Sequence, residues 1–148
     1  MRVREIQPRE TLPLRQLVLR PHQRPEELSF AGDADPETRH FGAFEGRRLV
    51  AIASIYRQDH KGRANTWQLR GMAALPEARG RGFGAAALAA CLDYARACNG
   101  ALVWCNAREK AAGFYLKHGF KTVSGVFEIE GVGPHYRMEH PLATAAVF

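Results

Sequence analysis

The stretch Trp67–Gly84, WQLRGMAALPEARGRGFG, decides the fold. Trp67 to Ala73 reads as a strand that runs into a Pro76-Glu77 turn. Arg79-Gly80-Arg81-Gly82-Phe83-Gly84 follows, and an Ala/Leu run of helical character begins directly after it. Glycines let backbone N–H groups approach a ligand closely. The first turn of a helix leaves its N–H groups unpaired and carries a partial positive charge. A strand, a basic glycine turn and a helix N-terminus in that order form a site for a pyrophosphate.

Outward from this centre, His40–Glu45 (HFGAFE) and Arg48–Tyr56 (RLVAIASIY) read as strands around a Gly46-Arg47 turn. Arg57–Ala64 is a polar connection, and Asn65–Ala73 completes a three-strand antiparallel meander. On the other side, Phe83–Ala97 is a helix with Leu88, Cys91, Leu92 and Ala95 as its apolar stripe. Asn99-Gly100 is its stop signal. Ala101–Cys105 (ALVWC) fits a strand buried on both faces. Strand, helix and strand over 67–105 imply a right-handed crossover and a parallel pair.

At the ends, Val3–Ile6 is a short first strand. Glu10–Arg20 reads as an amphipathic helix with Leu14, Leu17 and Val18 on its buried face and Arg15 and Gln16 between them. Residues 21–38 read as a surface loop with one helical turn at Pro25–Leu28, and its length makes it a candidate lid. Asn106 reads as the opening of a helix over Ala107–His118, with Glu109 in a capping-box position and Gly119 as a left-handed cap. Phe120–Ile129 and His135–His140 are the last two strands.

The 148 residues, 46% hydrophobic and 24% charged, suit one domain over 1–148 with a real core. No apolar run approaches the ~20 residues of a membrane span, and the N-terminus lacks a signal-peptide core, so the expected location is cytoplasmic. The three cysteines, Cys91, Cys98 and Cys105, contain no CxxC and read as buried reduced thiols, with neither a disulfide framework nor a metal site expected. The net charge of +6 fits an anionic ligand. The arginines are scattered, with no basic run interleaved with aromatics, so nucleic-acid binding has no support beyond charge.

Two segments together resemble the GCN5-related N-acetyltransferases. Met72–Gly84 is similar to that family's acyl-CoA motif, Arg/Gln-x-x-Gly-x-Gly/Ala, matched by Arg79, Gly82 and Gly84. Asn106 to Phe120, with Phe114, Tyr115 and Gly119, is similar to its Asn…Phe-Tyr…Gly-Phe segment. Ala78 departs from the pattern, where members often have an aromatic. The resemblance implies an α/β fold with a mixed, mostly antiparallel sheet, one splayed parallel pair, and helices on both faces. It implies acetyl-CoA or another acyl-CoA as co-substrate, no metal, and an amine of a small molecule or peptide as acceptor, attacked directly in a ternary complex. Met72, Ala73 and Ala74 would offer backbone groups to the pantetheine arm and the thioester carbonyl. Arg79, Gly80, Arg81, Gly82, Phe83 and Gly84 would hold the pyrophosphate. Asn106 would hydrogen-bond the pantetheine or the acceptor side, Phe114 and Tyr115 would contact the cofactor, and Tyr115 would protonate the leaving thiolate. A homodimer through the last strands is compatible with this layout.

Alternatives stand beside this reading. Gly80-x-Gly82-x-x-Ala85 formally matches a dinucleotide fingerprint. Pro76-Glu-Ala-Arg separates it from its strand, Cys105-Asn106 stands where an acid belongs, and an antiparallel meander precedes it. Tyr115 suits a general acid because a phenol and a thiol have comparable pKa values. Asn106 is equally well a plain helix cap. The general base is open among Glu128, Glu130, His135, His40, His22 and water, and Cys105 as an acyl-enzyme nucleophile is a further route. With no base assigned, a non-catalytic acyl-CoA-binding or partner-binding module is the alternative function.

Overall fold

The computed structural model describes residues 1–142. Among the described residues eight strands form one sheet: β1 (Arg2–Ile6), β2 (Arg39–Glu45), β3 (Arg48–Arg57), β4 (Thr66–Ala74), β5 (Leu102–Arg108), β6 (Lys121–Thr122), β7 (Phe127–Ile129) and β8 (Gly133–Pro141). The order across it is β1-β2-β3-β4-β5-β8-β6, with β7 also on β8, and only β4 and β5 are parallel. The fold is therefore the mixed α/β sheet expected.

Alternation along β3 separates two layers. Ala53 and Ile55 join Trp67, Leu69 and Val103 beneath helix α2 (Phe83–Ala97), which adds Ala87, Leu88, Cys91, Leu92 and Ala95 to one core. Ser54 and Tyr56 face the other way and meet Arg15 on the N-terminal helical segment. Helix α2 has the bounds expected. Asn99 takes the left-handed conformation after it, and a Cβ on Gly100 would lie 2.8 Å from Trp67 Cδ1.

The N-terminal helix departs from expectation. Pro8–Thr11 is a 3₁₀ turn, Leu12–Leu14 is a single α turn (α1), and Arg15–Leu19 is a π turn closed by Arg20 N–H to Arg15 O. The wider turn moves the faces: Leu17 is 61% exposed and Arg15 is 0% exposed. Residues 21–38 form the mostly exposed loop expected, with a short turn at Pro25–Glu27, and the buried Leu28, Asp33 and Thr38 anchor it to the interior.

The C-terminal half holds three corrections. β5 runs on through Asn106 to Arg108, so Asn106 caps no helix; a 3₁₀ turn (Glu109–Ala111) leads into α3 (Ala112–Lys117). Gly119 is left-handed, as expected. The long strand Phe120–Ile129 is broken into β6 and β7, which pair with β8 at Glu139 and His135 respectively. Ser124-Gly125 lies in the break, and Ser124 Oγ accepts from Arg137 N–H where a strand would have offered a carbonyl. Cys91 and Cys105 are buried thiols, but Cys98 is exposed at the end of α2.

Candidate active site

β4 and β5 pair only over Thr66–Gln68 and Leu102–Trp104, although β4 continues to Ala74 and β5 to Arg108. Beyond Gln68 the facing edges are free, and the strands part. On its other edge β4 stays tied to β3, where Ile52 meets Ala73 and Ser54 meets Arg70. That register leaves an extra residue on β4, a bulge around Gly71, which takes φ +65°. A bulge bends its strand and disrupts the ladder locally, which re-aims the backbone groups beside the opening.

The opening is a cleft of about 320 Å³. Leu69, Gly71 and Met72 line it from β4, Asn106 and Arg108 from β5, and Tyr115 from α3, with His135 and Ile129 behind them. Tyr115 is buried, and burial pushes its hydroxyl well above the ordinary phenol range, with the neighbouring Cys105 and Cys91 thiols adding to the rise. The hydroxyl is therefore in its protonated, donor form at neutral pH. Among the described residues no protein group bonds to that hydroxyl, and it is not among the sealed polar atoms.

His135 lies on β8 with Nδ1 2.7 Å from Gly133 O. A carbonyl only accepts, so Nδ1 carries a proton, and in the neutral ring the lone pair is on Nε2. Of the other candidate bases, Glu128 and Glu130 are exposed, and Glu130 and His22 line only the outer mouth of the cleft. His40 is elsewhere, bonded to Ser54 Oγ at 2.6 Å and Asp33 O at 3.0 Å, and burial lowers its pKa. Cys105 borders the cleft, but burial pushes its thiol up to about 12, which disfavours the thiolate a nucleophile needs.

The glycine turn sits at the far end of β4 and none of it lines the cleft. Gly80 and Gly82 are both left-handed, and a Cβ on Gly80 would meet nothing within 4 Å. Gly82 is the N-cap residue of α2, and no side chain caps the helix there. The first backbone bond is Ala86 N–H to Gly82 O, so the N–H groups of Phe83, Gly84 and Ala85 have no partner within the helix. An open glycine cradle with free amides fits a pyrophosphate. Gly84 is tight against the strand: a Cβ would lie 3.3 Å from Met72 Cε. The turn is tied to the β2–β3 hairpin by Arg48–Glu77 at 2.6 Å and by Arg81–Glu45.

The expected residues therefore divide. Met72, Asn106 and Tyr115 come together at the cleft, and Arg79 to Gly84 form the cradle. Ala73 and Ala74 sit on the β4 edge paired with β3. Phe114 lies outside the cleft lining, its ring 5.3 Å from Tyr115 and 4.5 Å from His118. Asn106 Oδ1 accepts from Arg137 Nε at 2.6 Å, while Arg137 stacks on Trp104 at 4.7 Å.

Sequence reading did not find the buried polar network beneath the bulge. Arg15 Nη1 donates to Asp33 Oδ2 at 2.6 Å and Leu28 O at 2.9 Å, and Nη2 to Asp33 Oδ1 at 3.1 Å, Tyr56 Oη at 3.2 Å and Ser54 Oγ at 3.3 Å. Burial alone would raise the Asp33 carboxyl, but bonds from Arg15, Tyr56 and Phe30 N–H hold it below the usual range. The Arg15 guanidinium also lies 3.8 Å over the Phe30 ring, and a Cβ on Gly71 would meet both, at 3.3 and 3.4 Å. The network thus forms the floor on which the bulge rests. An Arg in the middle of an amphipathic pattern was the one signal for it.

Comparison with known proteins agrees with this geometry. A family described as Acetyltransferase (GNAT) matches residues 3–120. The uncharacterized N-acetyltransferase YitI of Bacillus subtilis (strain 168) is 32% identical over 147 residues, 98% of this chain and 99% of that protein. An aminoglycoside 6'-N-acetyltransferase complexed with coenzyme A superposes with a TM-score of 0.75 at 17% identity, over 99% of this chain and 100% of that one. The ribosomal-protein-S18-alanine N-acetyltransferase of Escherichia coli does so with a TM-score of 0.76 at 17% identity, over 98% and 96%. At these identities the structures speak for the fold.

Proposed function

The chain belongs to the GNAT acetyltransferase family, and from that membership we propose that it transfers an acetyl group from acetyl-CoA to a primary amine of a small molecule or peptide. The observation that carries the reading is the parting of β4 and β5 above Tyr115, in line with an open glycine cradle at the end of β4. The cradle at Arg79–Gly84 would hold the pyrophosphate, and the free β4 edge near Met72 would bond the arm between the strands. Asn106 would border the arm while Arg137 holds its carbonyl oxygen.

Chemistry then follows from two atoms with no hydrogen-bond partner among the described residues, His135 Nε2 and the Tyr115 hydroxyl oxygen. His135 Nε2 takes the proton of the acceptor ammonium. The free amine attacks the thioester carbon, and backbone N–H groups at the bulge stabilise the oxyanion that forms. The C–S bond breaks, and the Tyr115 hydroxyl gives its proton to sulfur. Both groups stand in one cleft, which favours direct transfer over an acyl-enzyme at Cys105. With a base available, the non-catalytic alternative loses its main motive.

Thermal unfolding with acetyl-CoA, CoA and NAD tests the cofactor class. A ligand at a hundred times its Kd adds about 2.7 kcal/mol of stability. A shift with both CoA species and none with NAD is expected; a shift with NAD alone would return the dinucleotide reading. Tyr115→Phe tests the mechanism: kcat should fall by about 10² with acetyl-CoA affinity unchanged. An unchanged kcat would remove Tyr115 from the chemistry.

A further inference from the structure

The acceptor side of the cleft is cationic and lacks counter-ions. Arg20, Arg70 and Arg108 line the cleft, and no Asp or Glu does. Among the described residues none of the three forms an ion pair. Glu130 is at the outer mouth only, and it is exposed. Arg79 to Gly84 line no part of this cleft, so these cations do not belong to the pyrophosphate cradle.

Two of the cations are pressed together. Arg20 Nη1 and Arg108 Nη2 donate to the same oxygen, Leu19 O, at 3.0 and 3.1 Å. One carbonyl bears no net charge and cannot neutralise two guanidiniums, each of which keeps further N–H donors. Burial and the charge of Arg20 together lower the pKa of Arg108. Arg70 is held 4.5 Å over the Phe30 ring and 5.6 Å over Tyr56, which fixes its position without neutralising it. All three are half-buried, where water screens repulsion poorly. A planar fork pair of this kind matches an oxyanion with two or three oxygens.

On the acetyl-transfer reading of this cleft, we infer that the acceptor amine carries an oxyanion, a carboxylate or a phosphate, gripped by Arg20 and Arg108 with Arg70 beside them. The anion anchors the acceptor at the mouth and leaves its amine to reach His135 and the thioester carbon. Polyamines and other polycations are repelled from the same surface.

The experiment measures CoA release from acetyl-CoA with glycine, β-alanine and glutamate against their carboxamides, with O-phosphoethanolamine against ethanolamine, and with putrescine. kcat/KM should favour the anionic member of at least one pair by about tenfold or more, since hydrogen bonds between charged partners are the strong ones. The pair that discriminates tells carboxylate from phosphate. Arg108→Gln and Arg20→Gln should erase most of that preference through KM while kcat changes little. Equal rates within every pair, or a preference kept in the double variant, would overturn the inference. Thermal unfolding in the presence of CoA supplies a readout free of turnover. If no amine is acetylated but the N-acetylated acids or N-acetyl-phosphoethanolamine stabilise wild type and not Arg108→Gln, the anion site stands and the acetyl-transfer reading fails. If no anion stabilises the protein and no amine is turned over, both fail.

Discussion

Two segments flank β4 and are built in opposite ways. The glycine turn and the head of α2 are open, exposed and made of backbone, with conformation set by residues next to each other in the chain. The segment from Arg15 to Asp33 is closed and made of side chains, with Arg15 reaching Asp33, Ser54 and Tyr56 across 18, 39 and 41 residues. The first region leaves its backbone donors unpaired within the helix. The second pairs both Arg15 Nη atoms internally, leaves Arg15 Nε without an acceptor, and supports the Gly71 bulge. The difference teaches that an open glycine turn can be local, whereas the support beneath a bulged strand is assembled only by the fold.

The comparison breaks most readily at Asp33. Asp33→Ala leaves the fully buried Arg15 without its carboxylate, which costs about 3–5 kcal/mol in denaturant unfolding. The same pair has a pH signature. The folded pKa of Asp33 lies below its unfolded value near ~3.9, so its contribution is complete above that value and is lost as pH falls through the folded pKa. The stability gap between wild type and Asp33→Asn should therefore be wide near neutrality and close below about pH 4. A constant gap across that range would mean that the pair is not ionised as described.

The same contrast explains what was legible in the sequence. The meander, helix α2 and the parallel crossover follow from alternation, the apolar stripe and the Asn99-Gly100 stop, all local signals. The π turn at Arg15–Leu19 was not legible, because it is rewarded only by partners far along the chain. Helical spacing put Leu17 inside and Arg15 outside, and the long-range ion pair reversed both. Asn106 fooled the reading for a related reason. Its type and its spacing to Glu109 suit a cap, but Asn106 pairs with Arg137 on β8 and extends the strand instead. Tyr115 and His135 are both candidates by residue type in the sequence, yet only the fold brings α3 and β8 to one cleft.

Glycine substitutions sharpen the comparison, since left-handed Gly82 stands in the open turn and left-handed Gly71 on β4 packs against the closed segment. Gly71→Ala places a methyl against Phe30 and Arg15 in a conformation L-residues avoid. It should cost about 2–3 kcal/mol, about 1–2 of it from the left-handed backbone, and should lower turnover because the bulge re-aims the β4 edge. Gly82→Ala meets only Met1 Cε, at 3.6 Å. Its stability cost should be about 1 kcal/mol, from backbone alone, with the larger loss in acetyl-CoA affinity. Equal stability losses would show that the floor beneath β4 is as yielding as the open turn.

The smallest effect separates two arginines inside the turn itself. Arg81 is bonded to Glu45, which lowers the Glu45 pKa and raises that of Arg81. Arg79 has no ion-pair partner among the described residues and is exposed at the cradle. Only Arg79 is therefore free to meet a phosphate without first leaving a carboxylate. Arg79→Gln should weaken acetyl-CoA binding about three- to tenfold by calorimetry, and Arg81→Gln less than about twofold. The gap should narrow near 1 M salt, where the Debye length falls to about 3 Å. Glu45→Gln should release Arg81 and make its later removal matter as much as that of Arg79. Equal losses in the single variants, with Glu45 intact, would mean that the tether to the β2–β3 hairpin yields when the ligand arrives, and that even the local region depends on a partner elsewhere in the chain.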